Sequence, residues 1–247
     1  MSKEGMSKRQ MRRQQRRRSE QRSRLAVIIG VVLVALAAAA FLILPNFTPV
    51  GEIKTIDPRP RPQANGNAAG DPNAPVKMEE FSDFQCPFCD RFSQDTEGQI
   101  MDAYVATGKV YFLYRSFGSW IGPESGDAAE AAYCAGDQGK FWEMHDIIFA
   151  NQTGENVGNY TPKRLLAFAE TLGLNMGDFR SCFNGGTYKD RVQQDLTDGQ
   201  AAKIQATPSF VLTYTVNGQP KSEIIEGAVP FSDFQAKLDA ALAEADK

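Results

Sequence analysis

The sequence predicts an α/β domain in which a block of helices is inserted between two strand-containing halves, with one membrane-spanning helix ahead of the domain. Three observations support this prediction. Residues 25–44 form an uncharged apolar run that follows a strongly basic N-terminus. Strand-like runs occur on both sides of a long middle segment. That segment, residues 118–205, has helical periodicity and is interrupted by glycine-containing breaks.

The apolar run predicts a transmembrane anchor. A helix of this length spans roughly 30 Å, the thickness of a bilayer core. Residues 1–24 contain ten Lys/Arg and two acids, so this segment is expected to be cytoplasmic. The chain is then a single-pass protein of the cell membrane with an extracytoplasmic domain. A cleaved signal peptide is the alternative, with a candidate site at Ala35-Leu36-Ala37, although the apolar run continues beyond it to Leu44.

Charge is divided unevenly along the chain. The first 24 residues carry a net charge of +8, whereas the rest contains 17 bases and 28 acids and carries −11. An acidic domain repels phosphate, which argues against nucleic acid as the main partner. Setting the membrane topology already explains the basic arm. Binding of nucleic acid or anionic lipid by that arm is the alternative hypothesis.

The region beyond the anchor divides into a linker and a folded domain. Residues 45–75 are rich in Pro, Asn, Gly and Ala, which predicts a flexible linker. The domain, residues 76–247, begins with a strand, a helix over about 87–106 and a second strand over 110–117. After the helical insertion of about 118–205, Asn217-Gly218 predicts a β-hairpin, and a helix over about 231–244 closes the chain.

Cys86-Pro87-Phe88-Cys89 lies where a predicted loop meets a helix. The unpaired N–H groups and the dipole at a helix N-terminus stabilise a thiolate, and Pro87 suits the first helical position. Cys89 is one turn deeper, within reach of a mixed disulfide formed at Cys86. The pattern predicts a redox centre with Cys86 as the exposed nucleophile and Cys89 as the buried resolving thiol.

A zinc site is the alternative interpretation of this Cys-x-x-Cys motif. A structural zinc ion usually takes four ligands, and the sequence has no second Cys-x-x-Cys and no histidine pair. The single histidine, His145, is surrounded by core-type residues and is expected to be a packing or surface residue. No metal or other cofactor is predicted.

Three blocks in order, EEFSDFQCPFCDRF, KFWEMHDIIFANQ and ATPSFVL, resemble the DsbA-like branch of the thioredoxin superfamily. The similarity extends over about residues 76–245. In that family a helical domain is inserted between the halves of a thioredoxin fold, which matches the predicted order. The resemblance implies a thioredoxin-like fold, thiol–disulfide oxidoreductase activity, and redox cysteines at Cys86 and Cys89.

Two further positions carry over from the resemblance. The family has a cis-proline opposite the redox pair, and Thr207-Pro208 fits it; an ordinary trans-proline at a strand start is the alternative. Some members have a buried acid six residues before the first cysteine, where this chain has Glu80. A buried carboxyl there would have a raised pKa and could exchange a proton with Cys89. A surface acid at the strand end is the other interpretation of Glu80.

The aromatic residues around the motif have two possible roles. Most are expected in the core. Phe84 and Phe88, together with Thr207, are candidates for an apolar rim that binds an unfolded substrate. The best-known strongly oxidising members of the family have histidine where this chain has Phe88, which cannot donate a hydrogen bond to Cys86. The direction of disulfide exchange is therefore left open between oxidase, reductase and isomerase.

The other two cysteines, Cys134 and Cys182, lie in the helical block. If Cys86 bonds to Cys89, Cys134 and Cys182 are the remaining pair, which predicts a structural disulfide between them. Two buried free thiols, or a second redox pair, are the alternatives.

The favoured function is oxidation of cysteines in unfolded or exported proteins. The resemblance implies a quinone-linked membrane partner that reoxidises the pair. A reductase, an isomerase, and a redox-sensitive peptide-binding or chaperone module that does not turn over are the alternatives. The linker is too poor in apolar residues to be the dimerisation module of an isomerase, so a monomer is expected.

Overall fold

The computed structural model describes residues 8–47 and 49–245. Residues 1–7 of the predicted cytoplasmic segment, Thr48 of the predicted linker, and the last two residues of the predicted domain lie outside the described residues. The chain divides into two compact units, residues 1–51 and residues 52–247.

The first unit contains one long helix, α1 (Lys8–Phe47). Residues 16–41 of α1 are long and apolar enough to cross a membrane, with a mean hydropathy of 2.5. The large apolar side chains between Leu25 and Leu36 are exposed within the unit, as expected of a surface that meets lipid. A signal sequence near the N-terminus has the same properties.

The second unit is built on a five-stranded mixed sheet in the order β1-β3-β2-β4-β5. Strand β2 is parallel to β3, and the other neighbouring pairs are antiparallel. The Asn217-Gly218 turn joins β4 and β5, with both residues at positive φ, as a two-residue hairpin requires. The strands are β1 (Ala68–Ala69), β2 (Val76–Ser82), β3 (Val110–Ser116), β4 (Ser209–Val216) and β5 (Gln219–Glu226).

Helices cover the sheet, and five of them form the insertion between β3 and β4. These are α4 (Pro123–Gly136), α5 (Phe141–Ala150), α6 (Pro162–Thr171), α7 (Met176–Gly185) and α8 (Lys189–Ala201). The remaining helices are α2 (Pro87–Asp95), α3 (Glu97–Ile100), which continues as a π-helical turn (Met101–Val105), and α9 (Phe231–Glu244). The thioredoxin-like fold class with a helical insertion is confirmed. Gly186, at φ 66°, ends α7 at the predicted break.

The helix predicted over about 87–106 is interrupted at Thr96, which has a non-helical φ of −120° and ψ of −39°. The backbone N–H of Thr96 still donates to the carbonyl of Phe92, so the chain bends without losing that bond. The bend turns Glu97 inward, and its side chain is fully buried. A carboxyl is thereby placed beneath the first helix of the domain.

The structure corrects the predicted linker: residues 52–75 pack on the domain. Ile53 joins the periphery of the core, and β1 adds an antiparallel edge to β3. The indole N–H of Trp142 donates to the carbonyl of Ala68 at 3.2 Å. Arg59 donates to the Ser93 carbonyl and to Gln94. The Pro- and Gly-rich composition predicts a linker, but the segment packs on the domain because Ile53, Arg59 and Arg61 each find partners there.

Cys134 of α4 and Cys182 of α7 are joined by a disulfide, with their Cα atoms 5.8 Å apart. The bridge closes a loop across the helical insertion, with a sequence separation of 48. It links helices whose ends are also joined by hydrogen bonds between Gln138, after α4, and Asn175, the N-cap of α7.

Replacing both cysteines of this bridge by alanine is expected to lower the free energy of unfolding by up to about 4 kcal/mol, the loop-closure value for this separation. Urea denaturation of the two chains, each carrying Cys86→Ser and Cys89→Ser so that only the bridge differs, measures the effect. Equal midpoints with equal slopes would show that the bridge does not stabilise the insertion.

Candidate active site

Cys86 lies at the N-terminus of α2, as the sequence predicts. Its backbone is extended (φ −72°, ψ 120°), and Pro87 occupies the first helical position, where a missing N–H costs nothing. The carbonyl of Cys86 accepts the first intrahelical bond, from Asp90, at 3.1 Å. The Cys86 sulfur therefore faces the unpaired N–H groups of the first turn.

Hydrogen bonding lowers the pKa of Cys86 from 9.0 to about 6. The largest contribution is the bond from the Cys89 thiol, and the backbone N–H groups of Cys89 and Phe88 add to it. Burial opposes the shift without cancelling it. The prediction that Cys86 is exposed is wrong: only 5% of the residue is exposed, because the loop at Thr207 lies against its sulfur. At neutral pH this sulfur is mostly a thiolate.

Cys89 has the opposite character. It is completely buried, and its pKa is raised well above 9.0 by burial, by the bond that it donates to Cys86, and by the negative charge of that sulfur. The Asp83 N–H approaches its sulfur at 3.5 Å. The two thiols are both free, so the structure describes the reduced pair.

The loop before β4 lies against the redox pair. The Thr207–Pro208 peptide bond is cis, and the carbonyl of Thr207 lies 3.3 Å from the Cys86 sulfur. The carbonyl of Pro208 accepts from Gly227 at 2.8 Å, which ties the loop to the end of β5. Residues from opposite ends of the domain thus meet at the Cys86 sulfur.

Glu80 lies in β2, between Tyr114 of β3 and Phe210 of β4, and is 1% exposed. Burial raises its pKa well above 4.5, and the charge of Glu97 raises it further. Its Oε2 atom has no hydrogen-bond partner among residues 8–47 and 49–245. The surface interpretation of Glu80 is wrong. By strand alternation the neighbouring Glu79 faces the other side, where it forms an ion pair with Arg115 at 3.1 Å.

A buried charged cluster under the redox pair has no counterpart in the sequence analysis. Arg61 contacts Glu97 at 2.9 Å and Asp146 at 3.1 Å, and the Nδ1 atom of His145 lies 3.0 Å from Asp146. Donor atoms of Glu97, His145 and Asp146 lie within 4.8 Å of one another, close enough to hold a metal ion. The Arg61 guanidinium instead supplies the positive charge to both carboxylates. His145 is a buried packing residue among aromatic rings.

The two phenylalanines predicted to form a substrate-binding rim differ in burial. Phe84 is 1% exposed and packs on Tyr114, with ring centroids 5.2 Å apart, and on Phe149 at 5.0 Å. The assignment of Phe84 to a substrate rim is therefore wrong, because its ring fills the core beneath the active-site loop. Phe88 is 52% exposed on the first turn of α2, with the Arg91 guanidinium 5.0 Å from its ring.

Trp120 is 51% exposed, whereas most of the large aromatic residues of the domain are buried. It lies in the loop after β3, where its ring packs on Phe117 at 5.2 Å. Its loop is linked to the active-site loop by the Ile121 N–H, which donates to Asp83 at 3.2 Å. In the sequence, Trp120 lies between Gly118-Ser119 and Ile121-Gly122, and glycines this close on both sides indicate a loop.

The family of this chain follows from a comparison with known domains. A family model described as Thioredoxin matches residues 63–240, more than half of the chain. The chain belongs to the thioredoxin family.

Among curated relatives, this thioredoxin-family chain is 30% identical over 144 residues to the "probable disulfide bond formation protein D" of Bacillus cereus, covering 57% of this chain and 66% of that protein. It is 32% identical over 151 residues to "Na(+)/H(+) antiporter NhaA 1" of Salinispora arenicola, covering 61% of this chain and 21% of the antiporter. The chain thus spans about a fifth of the antiporter's length and just under two thirds of the Bacillus protein's.

Solved structures show that the fold is DsbA-like. Oxidised BdbD from Bacillus subtilis superposes with a TM-score of 0.63 at 21% identity, covering 77% of this chain and all of that one. The α-DsbA1 protein of Wolbachia pipientis superposes with a TM-score of 0.62 at 21% identity, covering 74% of this chain and 94% of that one.

Proposed function

We propose that this thioredoxin-family chain is a thiol–disulfide oxidoreductase that oxidises cysteine pairs in unfolded or exported proteins. The observation that carries the proposal is the unequal pair of thiols: an ionised sulfur at the start of α2 and a buried, protonated sulfur one turn behind it. This asymmetry is what stepwise thiol–disulfide exchange requires.

The reaction begins with the Cys86–Cys89 disulfide. A substrate thiolate attacks the Cys86 sulfur, which forms a mixed disulfide and releases Cys89 as a thiolate. Cys89 takes up a proton, for which the buried carboxyl of Glu80 is the proposed donor. The second substrate thiolate then attacks the first substrate sulfur, which closes the substrate disulfide and releases Cys86 as a thiolate. Two electrons pass from the substrate to the chain, and no metal or cofactor is needed.

The oxidising direction is supported by the stabilised Cys86 thiolate. A dithiol whose reduced form is stabilised by a low thiol pKa gives up its electrons reluctantly, so its disulfide is an oxidant. The side chain of Phe88 adds no hydrogen-bond donor, and the thiolate depends on the Cys89 thiol and on backbone N–H groups of α2, including that of Phe88 itself.

The proposed substrate surface surrounds the Cys86 sulfur. Phe88 is the exposed apolar side chain of the redox motif, and Thr207 and Pro208 present a backbone loop beside the sulfur. An extended peptide could pair with that backbone while an apolar side chain rests on Phe88. Pro208 has no N–H and leaves room for the attacking sulfur.

The proposed location is the cell membrane, with α1 as a single-pass anchor, a cytoplasmic N-terminus and an extracytoplasmic catalytic domain. The apolar run of α1 and the basic residues that precede this run support the orientation. The Cys134–Cys182 disulfide fits an oxidising compartment. A quinone-linked membrane protein is the proposed reoxidising partner, and anchoring both in one bilayer would raise their effective concentration. We propose that the chain acts as a monomer.

Mixing the oxidised, detergent-solubilised chain with a reduced, unfolded protein that has two cysteines tests the function. We expect one substrate disulfide to form per chain, with reduction of Cys86 and Cys89 measured by alkylation and mass spectrometry. If the chain instead only rearranges the disulfides of a scrambled protein, it is an isomerase. Capture of the substrate without electron transfer would identify a binding module and refute the proposal.

A further inference from the structure

Arg61 stands out as a buried arginine in a segment whose composition is that of a linker. Its side chain is 3% exposed, and its guanidinium lies 4.8 Å from the centre of the Trp142 ring. One terminal nitrogen donates both to Glu97 at 2.9 Å and to Asp146 at 3.1 Å. Arg61 thus joins α3 to α5 from the segment that precedes β1. A planar, permanently charged guanidinium is suited to holding two carboxylates at fixed positions.

The carboxylates bound by Arg61 are part of the environment of the redox pair. Glu97 is buried at the start of α3, where the bend after α2 turns it inward, and it also accepts from Ser93 of α2 at 3.3 Å. Its other oxygen, Oε1, has no hydrogen-bond partner among the described residues, as is true of Oε2 of Glu80. Glu80 and Glu97 are therefore two buried carboxyls that each have one oxygen without a partner among the described residues, and Arg61 is a cation that acts on both.

Glu80 responds to both members of this ion pair. The charge of Glu97 raises the pKa of Glu80, and the charge of Arg61 lowers it, while burial makes the largest contribution. Cys89 in turn responds to Glu80, whose charge raises the pKa of the buried thiol. Electrostatic influence therefore passes from Arg61 and Glu97 to Glu80 and from Glu80 to Cys89.

We propose that Arg61 is a positioning residue of the redox centre, which holds Glu97 in place through the ion pair and is itself held by Asp146, and so sets the pH range over which Glu80 exchanges a proton with Cys89. This inference rests on the proposed thiol–disulfide exchange and adds to it a residue from outside the redox motif. It makes the segment before β1 a functional part of the domain.

The step that depends on Arg61 is closure of the active-site disulfide. In a mixed disulfide at Cys86, the Cys89 thiol gives its proton to the Glu80 carboxylate, and the Cys89 thiolate attacks the Cys86 sulfur. The Cys86–Cys89 bond forms, and the other thiol leaves as a thiolate. Ionised Glu80 is the required base, so the rate of closure rises as Glu80 loses its proton.

The groups that act on Glu80 are Glu97 of α3, Arg61 of the segment before β1, Ser82 of β2, and Cys86 at the start of α2. Glu80 in turn raises the pKa of Cys89 in α2 and of Tyr114 in β3. Behind the guanidinium, Asp146 of α5 contacts Arg61 and His145.

The test measures disulfide closure against pH in single turnovers of the full chain, with glutathione on Cys86 and its release followed by chromatography. The rate of closure is expected to rise with pH, and this rise is the limb that the variants shift. Arg61→Met removes a positive charge and is expected to move the limb to higher pH by about one unit. Glu97→Gln removes a negative charge and is expected to move the limb to lower pH. Arg61→Lys is expected to restore most of the wild-type profile, and Glu80→Gln to abolish the limb.

Opposite shifts are decisive because both substitutions break the same ion pair. A purely structural role for the pair predicts shifts in the same direction, or none, in Arg61→Met and Glu97→Gln, and either result overturns the inference. Persistence of the limb in Glu80→Gln also overturns it. Arg59→Met is the matched control: it detaches the same segment from Ser93 and Gln94, and its profile is expected to stay at the wild-type position.

Failure of the proposed function gives a different result. If the wild-type chain does not release glutathione at any pH, the thiol–disulfide exchange itself is refuted, and the inference falls with it. If Arg61→Met does not fold, Glu97→Gln and Glu80→Gln still decide the question, since the first is expected to move the limb to lower pH and the second to abolish it.

Discussion

Replacing Cys86 by alanine is expected to reduce disulfide exchange to the uncatalysed level, because the only ionised sulfur of the site is lost. Cys89→Ala leaves the nucleophile in place and removes the resolving thiol. That variant is therefore expected to accumulate a covalent complex with the substrate through Cys86. The substrate in this test carries a disulfide, which the Cys86 thiolate attacks so that one substrate sulfur bonds to Cys86 and the other leaves as a thiolate. Non-reducing electrophoresis and mass spectrometry of the mixture distinguish the two outcomes.

The matched control replaces Cys134 and Cys182 together, which removes the other two cysteines and leaves the redox motif intact. This chain is expected to retain exchange activity at a temperature at which it is folded. Exchange that survives in Cys86→Ala but disappears in the control would assign the chemistry to the second pair. That result would contradict the proposed function.

The second large effect is on the titration of Cys86. In the reduced chain, the rate of alkylation of this residue is expected to reach half of its maximum near pH 6, about three units below an ordinary thiol. Cys89 is expected to resist alkylation across that range because it is buried and its pKa is raised. The measurement uses limiting iodoacetamide and quantifies each cysteine by peptide mass spectrometry. A half-maximum near pH 9 would remove the basis of the mechanism.

The same shift makes the stability of the reduced chain depend on pH. The pKa of Cys86 is lower in the folded chain than in the unfolded chain, so the thiolate stabilises the fold fully above about pH 9. This contribution is lost as the pH falls through about 6. The oxidised chain has no Cys86 thiolate. As the pH rises from 6 to 9, the unfolding free energy of the reduced chain is therefore expected to increase relative to that of the oxidised chain.

Much of the site could be predicted because its residues lie in one short motif. The position of Cys86 at a helix start follows from local rules: a proline suits the first turn, and the dipole favours a thiolate. Strand alternation correctly places Glu79 and Glu80 on opposite faces of β2. The insertion and the hairpin follow from periodicity and from Asn217-Gly218.

What could not be predicted depends on tertiary packing. Phe84 is two residues from Cys86, but the loop turns its ring inward, where Tyr114 and Phe149 surround it. Arg61 lies in a proline-rich sequence with no periodicity, and its partner Glu97 faces inward only because the helix bends at Thr96. No local pattern records such a contact between residues 36 positions apart in the chain.

The packing of residues 52–75 determines where a soluble form of the domain can begin. A truncated protein starting at Val76, the predicted domain start, would lack β1 and expose the edge of β3. It would also leave two carboxylates in the interior without their cation, at a cost of several kcal/mol. Expression without the membrane helix should therefore retain the chain from Glu52 onward, since the shorter polypeptide is predicted to be poorly folded and prone to aggregate.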